Sequence, residues 1–215
     1  MRRKLRQLLV ERDFDEIARL AERGTRVLGD LLPLTYEPDP LIAWRAVEAT
    51  GVAGVRIAER NPAAVREHLR RLYWLLSEES GGICWRAPEV MAELVGRMPG
   101  LYDDYVPIVL HLIVEMAEED LGHFRVGSLW AIGRLGEVAA GQMSSVLPAV
   151  VAALDHSDPQ VRGMAVWALA RTGRLDRLEE HPHLLSDAGP VDFYEDGLLS
   201  RTSVGALVRR SLGGG

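Results

Sequence analysis

The sequence predicts an all-α fold, a right-handed α-α superhelix of about five helix pairs forming a single repeat domain over residues 1–215. Three observations predict it. Arg45, Arg86, Arg125, Arg162 and Arg201 recur at steps of 37 to 41 residues, the period of stacked helix pairs. Around each arginine, Ala, Leu, Val and Gly return at helical spacing. No long segment alternates with period two, so no sheet is expected.

Taken in order, the chain opens with MRRKLRQLLVERDFDE. The basic start resembles a secretory leader, but Gln7 interrupts the short apolar run and Glu11, Arg12 and Asp13 end it. No small-residue cleavage site follows, so residues 1–24 are read as amphipathic helices that cap the array. Arg2, Arg3, Lys4 and Arg6 form a solvated face, or touch an acidic partner or membrane surface. The second helices of the pairs are expected near 41–54, 84–96, 123–138, 159–173 and 199–211. Their partners are expected near 26–34, 63–77, 102–118 and 143–154, with a weaker one at 175–185. The turns carry breakers: Pro38-Asp39-Pro40, Asn61-Pro62, Ser80-Gly81-Gly82, Pro99-Gly100 and Ser157-Asp158-Pro159.

Aligned on the arginines, the segments share an apolar or small residue before the Arg and mostly a small one six places after it: Gly51, Ala92, Ala131 and Ala168. Small residues let neighbouring helices approach closely. The segment SDPQVRGMAVWALARTGR, residues 157–174, combines an Asp-Pro-x-x-Val-Arg opening with an Ala-Leu-x-x-x-Gly close. In this it resembles HEAT-repeat proteins, particularly the HEAT-like repeats of the phycobilisome-lyase type. It is also similar to small uncharacterised bacterial HEAT-repeat proteins. The resemblance runs from about residue 37 to 212 and implies a HEAT-like, armadillo-like solenoid; a repeat type by itself transfers no activity.

Composition narrows the function. With 47% hydrophobic and 26% charged residues, the chain has enough apolar side chain for a core. A net charge of −6 argues against nucleic acid as a general partner. One cysteine, Cys84, excludes an internal disulfide and fits a cytoplasmic location. The longest apolar stretch, Val106 to Val114, is too short to cross a membrane. Phosphate-binding glycine loops, zinc spacings and the His-Glu dipeptides of HEAT-like iron hydroxylases are all missing from the sequence, so no cofactor is expected.

Three groups of residues are candidates for function. The first is the arginine ladder itself, each Arg having an acid upstream: Asp39, Glu79, Asp120, Asp158 and Asp196. Such an acid caps its helix or pairs with the Arg, making the ladder a framework. The second is a carboxylate cluster in the second and third repeats. Glu89 and Glu93 fall at offsets that are apolar in the fourth repeat, and Glu78, Glu79, Arg86, Glu115 and Arg125 lie near in sequence. Buried carboxylates must be paired, protonated or metal-bound. The cluster is therefore a salt-bridge network using Arg86–Glu89 and Arg45–Glu48, a ligand pocket, or a metal site of Glu89, Glu93, His111 and Glu115. The third is an aromatic line. Trp130 and Trp167 lie five residues after their arginines, with Met91 equivalent. They form an exposed groove for another protein or peptide, or pack between neighbouring repeats or beneath the C-terminal segment 186–200. The expected function is a non-catalytic protein-binding adaptor using the inner helix face; the alternative is a ligand- or metal-binding protein or enzyme centred on the carboxylates.

Overall fold

The computed structural model describes residues 1–76, 86–115 and 122–213. They form two compact units: Met1–Asp103 with Tyr194–Leu199, and Asp104–Phe193 with the residues from Ser200 onward.

In the first unit, α1 (Arg2–Glu11) buries Leu5, Leu8 and Leu9 and stops at Arg12, whose backbone turns left-handed at φ 58. Helix α2 (Phe14–Glu22) starts where the Asp13 carboxylate accepts the Glu16 N–H at 2.9 Å. A short α3 (Arg26–Leu31) tightens into a 3-10 turn over Leu32–Tyr36. Helix α4 (Pro40–Ala58) is the spine of the unit. Asp39 accepts the Leu41 N–H at 2.9 Å, and Pro40 fills the first helical position, where a missing N–H costs nothing. Helices α1, α2, α3, α5 and α6 all pack on it. Its small residues Ala46, Ala49, Ala53 and Gly54 permit this; a Cβ at Gly54 would lie 2.3 Å from Leu94. Helix α5 (Pro62–Leu76) is capped by Asn61 and buries the stripe Val65, Leu69, Leu72 and Leu76. Helix α6 (Ala87–Arg97) lies against α4 and α5.

In the second unit, α7 (Val106–Glu115) starts one residue before Pro107 and packs on α8 (Gly122–Leu135). Gly136, with φ 54, ends that helix, and a short α9 (Glu137–Ala140) follows. The stretch expected to be one helix over 143–154 is a 3-10 turn, α10 (Leu147–Ala152) and a second 3-10 turn. Helix α11 (Pro159–Arg171) is capped by Asp158, which accepts the Gln160 N–H at 2.8 Å. Helices α8 and α11 make the most extensive pairing of the unit. Gly133 makes it possible: a Cβ there would lie 2.1 Å from Nε1 of Trp167, so the indole rests on bare backbone. Then come α12 (Leu175–Glu179), a 3-10 turn over Pro182–Ser186, and α13 (Val204–Leu212), which packs on α11.

The expectation of no sheet is wrong at one place. Strands β1 (Pro190–Glu195) and β2 (Leu198–Ser203) form a two-stranded hairpin, so the last helix starts at Val204 and not near 199. The cause is local. Asp196 and Gly197 both take positive φ, 49 and 77, which gives the tight turn that matches strand twist. Before it, buried Val191 and Phe193 alternate with exposed residues.

Candidate functional site

The carboxylate cluster belongs to the first unit, and the geometry makes it a framework. Helix α4 presents Trp44, Glu48 and Gly51, and α6 presents Glu89, Glu93 and Arg97. Glu89 and Glu93 are 1% and 3% exposed, so each must have a cationic or hydrogen-bonding neighbour. Arg86 donates to Glu89 at 2.8 Å, one helical turn away. Arg97 Nε donates to Glu93 at 2.7 Å, and its Nη2 stands 3.6 Å from Glu48. The other Glu48 oxygen accepts the Tyr194 hydroxyl at 2.5 Å. Tyr194 in turn stacks on Trp44 at 5.3 Å between centroids, and the Arg86 guanidinium lies 4.5 Å above the Trp44 ring. Burial first, then the bond to the Glu48 carboxylate, pushes the Tyr194 phenol well above its ordinary range, so it acts as a permanent donor. Gly51 leaves room for the pair: a Cβ there would lie 2.7 Å from both Arg97 and Glu93.

The expected Arg45–Glu48 pair does not form. Arg45 donates instead to the carbonyls of Leu9 and Val10, both at 2.9 Å, and of Gly197 at 3.2 Å. It thereby adds donors to the last carbonyls of α1. Arg162, in the second unit, does a similar job. It donates to the carbonyls of His156 and Ser157 at 2.7 and 2.9 Å and to the Asp187 carboxylate at 2.7 Å. The Arg162 guanidinium holds the Asp187 carboxyl below the usual carboxylate range. Arg125 is half-buried and lines a cavity of about 220 Å³ with Ile113, Ala149, Ala152, Ala153 and His156. Arg201 departs from the ladder: it sits on β2, 73% exposed at the side chain and 4.0 Å from Asp192.

The metal reading fares no better in geometry. Glu115 is exposed at the end of α7, and His111 Nδ1 bonds the Pro107 carbonyl at 2.9 Å. Among the described residues no group of three or more His, Cys, Asp or Glu side chains is placed to hold a metal ion. Glu78 and Glu79, with Cys84 and Asp120, lie outside the described residues.

The exposed aromatic line is corrected. Trp130 is 3% exposed and Met91 is fully buried, because these helices are covered on more than one side. Trp167 is half-buried; it packs edge-on against Phe193 at 4.9 Å and carries the Arg171 guanidinium 5.2 Å above its ring. Phe193 lies in the C-terminal segment 186–200, so of the two readings the packed one describes Trp167. Sequence reasoning missed Arg97, Tyr194 and Asp187. Arg97 was recoverable as the i+4 partner of Glu93; Tyr194 and Asp187 are distant in sequence from Glu48 and Arg162 and left no local signal.

This geometry and architecture define the class: a helical-repeat solenoid whose polar interior braces its own helices. Residues 123–172 match the HEAT-like repeat family. An uncharacterized protein of Archaeoglobus fulgidus is 24% identical over 179 residues, covering 83% of this chain and 91% of that one. Among solved structures, an engineered protein matches over 98% of this chain and 94% of its own, with a TM-score of 0.51 at 15% identity. That likeness is one of fold. A designed armadillo repeat protein matches over 98% of both chains at 16% identity, with a TM-score of 0.47. Among the described residues no helix is long and apolar enough to cross a membrane.

Proposed function

We propose that the protein is a protein-binding scaffold with no catalysis of its own. The observation that carries this reading is the engagement of Glu48 and Glu93, with Glu89 Oε1 held by Arg86. Both oxygens of Glu48 have neighbours in Tyr194 and Arg97, Arg97 also bonds Glu93, and Arg86 bonds Glu89. A ligand or catalytic site keeps such groups facing a cleft; here they face one another across packed helices. Helical-repeat folds of this kind present long helix faces to partners. Trp130 and Met91 are buried and are not part of the proposed contact surface.

The test is cross-linking of the full chain in native lysate, with a Glu89→Gln/Glu93→Gln variant whose fold is checked by circular dichroism. The expected result is a defined partner protein recovered at near-equal ratio by both chains. Stoichiometric metal or a small molecule on the purified wild type, lost in the variant and without any protein partner, would overturn the scaffold reading.

A further inference from the structure

One corner of the first unit has features that the framework does not use. There the turn between α2 and α3 meets the turn between α4 and α5, where Arg60 donates to the Glu22 carbonyl at 2.9 Å. Two clefts open at this corner and share Thr25. The larger, about 460 Å³, lies between α3 and α5, with Gly29 and Ala64 leaving it open and Asp30, His68 and Arg71 on its walls. The smaller, about 160 Å³, is lined by Arg23, Arg56 and Arg60.

Two kinds of group stand out. The side chains of Arg23 and Arg71 make no hydrogen bond or ion pair with any described residue. In a chain of net charge −6, the lining arginines Arg23, Arg26, Arg56, Arg60 and Arg71 outnumber the lining acids Glu22, Asp30 and Glu67, a local excess of positive charge. In addition, Asp30 Oδ2 and His68 Nε2 are buried without a hydrogen-bond partner. Asp30 has only the looser ion contacts of Arg26 at 3.4 Å and Arg2 at 3.7 Å. Such atoms are costly unless something completes them.

What completes this set must accept hydrogen bonds from arginines and also donate one to Asp30. A phosphodiester offers acceptors alone, and any phosphate brings its negative charge against the Asp30 carboxylate. A peptide offers both: carboxylate side chains for the arginines and backbone N–H groups for Asp30. Trp74 lies one turn beyond Arg71 on α5 and is 59% exposed, an apolar surface beside the charges.

We propose that this corner docks an acidic peptide segment of a partner protein, its carboxylates on Arg23, Arg60 and Arg71 and its backbone against Asp30 and His68. The proposal rests on the scaffold reading and names the chemistry of the partner. Burial, with Arg71 nearby, keeps the His68 imidazole neutral, its pKa down to about 4, and a bound carboxylate raises it again.

The experiment uses the full chain and a fluorescein-labelled ten-residue peptide of alternating Glu and Leu, with the matched Gln and Leu peptide as control. Anisotropy is read for wild type and for Arg23→Ala/Arg71→Ala, a surface pair whose loss leaves the melting temperature unchanged. The expected result is saturable binding of the Glu peptide, weakened at least about tenfold in the variant and by the Gln replacement. The His68 ring resonance shifts on titration with the Glu peptide. Equal binding of both peptides, unchanged binding in the variant, or tighter binding of inorganic phosphate or single-stranded RNA overturns the proposal. If the variant still recovers the partner found by cross-linking, the corner is excluded while the scaffold reading stands.

Discussion

Replacing Arg97 with methionine keeps the apolar stem and removes the guanidinium that joins α6 to α4. Its partners differ in burial: the Glu93 side chain is 4% exposed and bonded at 2.7 Å, the Glu48 side chain 14% exposed and 3.6 Å away. Stranding a fully buried carboxylate costs about 3–5 kcal/mol. Arg97 itself is 28% exposed, so water reaches the vacated place, and Glu48 keeps its bond from Tyr194. The expected loss is therefore about 2–3 kcal/mol. A double-mutant cycle with Glu93→Gln isolates the pair, with an expected coupling of about 1.5–2 kcal/mol. Urea unfolding followed by far-ultraviolet circular dichroism at pH 7 measures all four corners of the cycle. Raising salt to half-molar leaves the coupling nearly intact if the pair is shielded, whereas exposed pairs fade. A loss under about 1 kcal/mol with coupling below about 0.5 kcal/mol refutes the buried-network account.

Four further outcomes follow from single sites. The folded pKa of His68, about 4, lies below the unfolded value of about 6.5, because burial, and then Arg71, oppose its charge. Its contribution is full above pH 6.5 and is lost as pH falls toward 4, so wild type loses about 2–3 kcal/mol relative to His68→Gln between pH 7 and 4.5; parallel melts check this. Asp187→Asn removes the bond from Arg162 and costs about 1–2 kcal/mol at pH 7. Because the Asp187 pKa is lowered in the fold, the stabilisation is present above about pH 4 and disappears as pH falls through the folded value, so the two melting curves converge in acid. Gly133→Ala forces Trp167 off α8 and destabilises by about 1–3 kcal/mol, outweighing a helix-propensity gain of about 1 kcal/mol. Gly29→Ala on α3 meets nothing within 4 Å and is stabilising; urea midpoints of opposite sign separate the two.

The legible parts of this protein are those that depend on near neighbours. Asp39-Pro40, Asn61-Pro62 and Asp158-Pro159 announce helix starts because the cap and the N–H that donates to it are three residues apart or fewer. Arg86–Glu89 is equally local, and the expected pair forms. The hairpin is also written in the sequence, as Asp196-Gly197 between alternating residues, but the repeat period gives Asp196 the place of one more helix-capping acid. Trp130 and Met91 illustrate the opposite limit. An apolar position on a helix that is apolar nearly all round is equally compatible with a groove and with a core. Only the neighbouring elements decide, and here they bury both.

The arginine ladder shows how a recurrent pattern can hold two separate devices. If each arginine paired with its upstream acid, the spacing between them would be fixed by geometry. It is not: Asp39 precedes Arg45 by six residues and Asp158 precedes Arg162 by four. In the structure the two acids cap the N-termini of α4 and α11, while the two arginines bond backbone carbonyls, Leu9 and Val10 in one unit and His156 and Ser157 in the other. Each device serves a different set of backbone groups, acceptors for the arginine and donors for the acid. They need only lie near the same helix start, not touch, so their spacing drifts while the period of the repeat is kept. A pairing ladder would have tied neighbouring charges together; this one leaves Arg162 able to reach Asp187, 25 residues further on.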